Sequence, residues 1–78
     1  MPVNDSEIDG AIIAVAQVRW GKVAMIIAKA ADELGTKLPD GLDGRVLVAR
    51  RIKALVLDGR LVAQGEVGKW RNSEVRLP

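Results

Sequence analysis

The chain has no cysteine, no histidine, no phenylalanine and no tyrosine, and its only aromatic side chains are Trp20 and Trp70. Without cysteine or imidazole there is no disulfide framework and no zinc site of the usual kind. Nucleophilic mechanisms that need a thiolate or a histidine base are excluded as well. The longest stretch without a charge, residues 10–18, is far too short to span a bilayer. Residues 1–7 are acidic where a signal peptide would be basic. The expectation is a cytoplasmic protein with no membrane partner. No repeat, low-complexity tract or interdomain linker is visible.

What is present is aliphatic. Of 78 residues, 49% are apolar, which sets the chain apart from intrinsically disordered sequences. The length suits one small domain over residues 1–78, with a core of Ile, Val, Leu and Ala. A domain this small buries a modest fraction of its surface, so its core must be efficient or be helped by a partner. The net charge of +2 is too small to imply a nucleic-acid partner, but its distribution is uneven. Residues 1–44 carry four basic and seven acidic side chains, a net −3, and residues 45–78 carry eight basic and three acidic, a net +5.

Hydrophobic periodicity predicts three helices and a hairpin. The first helix spans about residues 5–17, with Ile8, Ile12 and Val15 at helical spacing and Ala11 and Ala16 beside them. Asn4 and Glu7 have the spacing of a capping box, and Asp5, Glu7 and Asp9 lie near the positive end of the helix dipole. The second helix spans about residues 20–34, with Val23, Ile26, Ile27, Ala30 and Leu34 inward and Gly35 as its stop. Trp20 falls at the corner between these helices, where packing against the core is expected. Residues 36–43 form a loop with a tight turn at Pro39-Asp40-Gly41, and Asp43 is the expected cap of the next helix. The third helix, residues 44–57, turns Val48, Ile52, Leu55 and Val56 inward. Its Val46, Leu47, Ala54 and Leu57 fall away from that stripe, so it asks for cover on more than one side. After Asp58-Gly59, strands are expected at residues 60–64 and 69–76 around a turn at 65–68, with Leu61, Val75 and Leu77 inward. This order predicts an α+β, mostly α fold: a three-helix winged helix-turn-helix with a C-terminal two-stranded β-hairpin wing.

Arg50-Arg51-Ile52-x-Ala54-Leu55-Val56-x-x-Gly59-Arg60-Leu61-x-Ala63-Gln64-Gly65, followed by Trp70-Arg71-x-Ser73-Glu74-Val75-Arg76-Leu77-Pro78, resembles a small bacterial domain-of-unknown-function family with a winged-helix-like fold. The resemblance is strongest over residues 44–78 and looser around Trp20 and Lys22-Val23-Ala24. It implies a fold and assigns no activity or site.

Two functions compete. The first is a DNA-binding or regulatory module. Arg45, Arg50, Arg51 and Lys53 would lie on the recognition helix, and Lys69 and Arg71 would flank the wing. Arginine grips phosphate or guanine through paired hydrogen bonds. Against this stand Glu66 at the wing tip, the lack of Asn, Gln, Ser or Thr on helix three, and a loop before it that exceeds a helix-turn-helix turn. The second is a protein-interaction or homodimerisation module without nucleic-acid binding, using Val46, Leu47 and Leu57. If neither holds, the cations form a solvated face paired with Asp58, Glu66 and Glu74, each pair worth little. No enzyme, cofactor or metal is expected. The carboxylates at positions 5, 7 and 9, at 32 and 33, and at 40 and 43 each sit at a helix end or in a turn.

Overall fold

The computed structural model describes residues 3–78. Three helices, α1 (Asp5–Val15), α2 (Val23–Leu34) and α3 (Leu42–Leu57), pack around one aliphatic core. Three short strands, β1 (Gly21–Lys22), β2 (Val62–Gln64) and β3 (Glu74–Arg76), form an antiparallel sheet in the order β1-β3-β2. The fold is α+β and mostly helical. The terminal strands join β1 at the start of α2, and the Cα radius of gyration is 11.2 Å.

The sheet has three strands, not the two of the expected hairpin. Gly21 and Lys22, expected inside the second helix, pair with Val75 and Glu74. Glycine is a poor helix former, and β3 has a free edge that these two residues complete. Helix α2 therefore starts at Val23, whose N–H donates to the Ser73 carbonyl at 3.0 Å. On the other edge, Val62, Ala63 and Gln64 face Arg76, Val75 and Glu74. The expected strand 69–76 is shortened. The Ser73 hydroxyl donates to the Lys69 carbonyl at 2.8 Å, as does the Asn72 N–H at 3.0 Å. Such local bonds compete with a ladder, so Trp70–Asn72 winds into a 3-10 turn.

The helix faces match the apolar stripes except at Val15 and Val56, which are half-buried. Ile8 and Ile12 of α1, Val23, Ile26, Ile27, Ala30 and Leu34 of α2, and Val48, Ile52 and Leu55 of α3 are all buried. Leu61 and Val75 join them from the sheet, while Leu77 is half-buried. The Asn4 side chain accepts from the Glu7 N–H at 2.8 Å, one half of a capping box. The other half is missing because the Glu7 carboxylate binds Lys37 Nζ at 2.9 Å. This pair holds the Glu7 carboxyl below its usual range, through the hydrogen bond first and the charge second.

Helix α3 starts earlier than expected. Its N-cap is Gly41, and Asp43 lies inside the first turn, where its charge suits the dipole. The helix ends in a Schellman motif: Gly59, at φ 82°, donates to the Val56 carbonyl, and Arg60 donates to Leu55. That stop aims the chain from α3 into β2. No described helix is long and apolar enough to cross a membrane.

Candidate functional site: the face between α3 and the β2–β3 loop

The basic second half of the chain folds into α3 and the loop between β2 and β3, and these two elements face each other. The loop is held short. Gly65, at φ 79°, lets the backbone run so close to Asn72 and Ser73 that a Cβ would lie 2.7 Å from the Asn72 carbonyl oxygen. The Lys69 N–H then closes a turn onto the Glu66 carbonyl at 2.8 Å. The result is a compact β2–β3 loop whose Val67, Gly68 and Trp70 share a hollow with α3.

Between them lies a shallow hollow of about 220 Å³, lined by Val46, Ala49, Arg50 and Lys53 of α3 and by Val67, Gly68 and Trp70 of the loop. Two of the six expected contacts, Arg50 and Lys53, therefore stand on the same rim as the residues that flank Lys69. Arg71 follows directly after Trp70 in the short turn. Arg50, Lys53 and Arg71 are exposed and form no ion pair among the described residues. Lys69 Nζ lies 3.6 Å from Glu66, an exposed pair of little strength. The Arg71 carbonyl accepts from Lys22 Nζ at 3.3 Å, which ties the base of the loop to β1.

Arg45 and Arg51 stand elsewhere. Arg45 borders a larger hollow beside the α2–α3 connection. Arg51 turns to α1: its Nε and Nη2 donate to the two Asp9 carboxylate oxygens at 2.8 and 2.9 Å, and Nη1 lies 3.5 Å from Asp5. The Asp9 side chain is only 13% exposed, which marks this as an internal clamp between α1 and α3. The hydrogen bond to Asp9 raises the Arg51 pKa still further above its usual value. A guanidinium so engaged is not free to grip phosphate. The ion pairs expected at Asp58 and Glu74 are also absent among the described residues, and Glu74 instead accepts from the Gln64 amide at 2.6 Å.

Of the expected interface residues, Leu57 is 80% exposed, and Val46 and Leu47 are half-buried. Trp20 does not plug the core. It is exposed on the corner beside β1, with the Arg76 guanidinium 5.0 Å from its ring centroid. No cluster of acidic side chains suited to a metal ion occurs among the described residues.

Comparison with protein-family models, with characterised proteins and with solved structures finds no match to this chain.

Proposed function

We propose that the chain is a winged-helix module and that α3 and the wing form a DNA-binding face of regulatory type. The element order α1-β1-α2-α3-β2-β3 and the sheet order β1-β3-β2 support the fold reading. The resemblance of residues 44–78 to a winged-helix-like family agrees with it. One observation carries the functional reading: Arg50 and Lys53 of α3 line one hollow with Val67, Gly68 and Trp70, the sequence neighbours of Lys69 and Arg71, and Arg50, Lys53 and Arg71 have no intramolecular ionic partner among the described residues. Two cations on the rim of the hollow, with Lys69 and Arg71 on the adjoining loop as the further contacts of this reading, suit the regular negative charge of a duplex backbone.

The exposed face of α3 carries no amide or hydroxyl side chain, so the contacts go to phosphates and base discrimination is weak. Fluorescence anisotropy with a labelled duplex tests this. Binding at low salt that weakens when Arg50 and Lys53 are replaced by Ala supports it, and no binding at low salt ends it.

A second reading rests on the aliphatic side chains left on α3. Leu42 and Leu57 are 67% and 80% exposed at its two ends. On this reading the helix is a protein interface, in its simplest form between two copies of the chain. Sedimentation at high concentration decides it. A dimer that Leu47→Glu converts to a folded monomer supports the interface, and a wild-type monomer removes the homodimer.

A further inference from the structure

The hollow beneath the wing has a chemistry of its own. Val46, Ala49, Val67 and Trp70 give it an apolar floor, and the stems of Arg50 and Lys53 extend that floor to the rim. Both cationic heads lack a hydrogen-bond or ion-pair partner among the described residues. The hollow beside the α2–α3 connection is larger, but it mixes Lys29 and Arg45 with Asp32 and Asp40 and selects no charge. At about 220 Å³ the wing hollow suits one ring.

We infer that this hollow is a binding site for a small aromatic monocarboxylate. The ring lies on Trp70 against Val46 and Ala49, and the carboxylate is held by Arg50 with Lys53 beside it. Aromatic stacking and a charge-assisted hydrogen bond supply the recognition. Its regulatory consequence rests on the DNA-binding reading: a carboxylate on Arg50 and Lys53 removes two of the four phosphate contacts, so ligand and duplex compete.

The test uses the full chain and benzoate, with benzamide as the neutral isostere. Amide NMR shifts are followed during titration at constant ionic strength. The expected result is a saturable shift centred on Ala49, Val67, Gly68 and the Trp70 indole, with a Kd of about 1 mM, as befits so small a ligand. Benzamide binds at least tenfold more weakly, and Arg50→Gln lowers benzoate affinity by a similar factor. Ala49→Leu fills the floor without touching the charges and abolishes the shifts. Equal binding of benzamide, shifts centred away from the wing, or no saturation at about tenfold above that Kd would overturn the inference. Failure of the DNA reading shows separately, as absent duplex binding with the benzoate map intact.

Discussion

Replacing Gly44 with alanine should destabilise this protein, although the same exchange in a helix normally stabilises it. Alanine is favoured over glycine within a helix by about 1 kcal/mol. Gly44, however, sits in the first turn of α3 directly beneath the Pro39 carbonyl. A Cβ there would press on that oxygen and stand 3.5 Å from the Leu38 Cβ. Backbone cannot rotate away as a side chain can, so the 39–41 turn must lift off the helix. Leu38, now 7% exposed, moves with it. Overpacking of this kind costs about 1–3 kcal/mol, and withdrawing part of a buried leucine adds to that. Against the propensity gain, a net loss of about 1–2 kcal/mol remains.

Gly10 supplies the control. It lies on the exposed side of α1 with nothing within 4 Å of an added Cβ. Gly10→Ala should therefore gain about 0.5–1 kcal/mol. In a domain of this size 1 kcal/mol moves Tm by about 4–8 °C. Thermal unfolding followed by far-UV circular dichroism should show Gly44→Ala below the wild type by about 4–16 °C and Gly10→Ala above it by several degrees. A Gly44→Ala protein at or above the wild-type Tm would refute the seating of the Pro39 turn on α3.

The two adjacent arginines of α3 should separate stability from binding. Arg51→Gln leaves the buried Asp9 carboxylate without its clamp and lowers Tm while sparing low-salt duplex affinity, whereas Arg50→Gln does the reverse; paired melts and anisotropy read both. Glu7 gives a pH signature. Its carboxyl is lowered in the folded state from the usual 4.5, so the unfolded chain holds the proton more tightly. The Lys37 contact therefore stabilises above that value and is lost as pH falls through the lowered one. Lys37→Met should move the Glu7 titration back up, as seen by carboxyl NMR, and flatten the acid limb of the stability curve.

Much of the fold was legible because the apolar stripes keep strict period. Val23, Ile26, Ile27, Ala30 and Leu34 were assigned to one face and are all buried. Strand β1 was not legible, because two residues carry no period and owe their structure to the edge of β3. The short 3-10 turn at Trp70–Asn72 was hidden for a related reason: alternation at positions 69–76 looks like a strand until the Ser73 hydroxyl bonds back to Lys69.

The candidate site divides along similar lines. Arg50 and Arg51 look alike in a run of basic residues, yet Arg51 lies three residues after the buried Val48 and four before the buried Leu55. That spacing put it at the margin of the core stripe, and Asp9, one residue after Ile8, at the margin of its partner's. The signal for an interhelical pair was present in the spacing. The hollow between α3 and the β2–β3 loop had no such signal, since it depends on how Gly65 brings the loop against residues 72 and 73.

The most direct test of the proposed DNA-binding face is the salt dependence of duplex binding. Four phosphate contacts predict a slope of about −3.6 in log affinity against log salt, or about a 150-fold loss between 50 and 200 mM. The double replacement of Arg50 and Lys53 by Gln should shallow the slope to about −1.8. A slope near zero, or one that the double replacement leaves unchanged, would contradict the account.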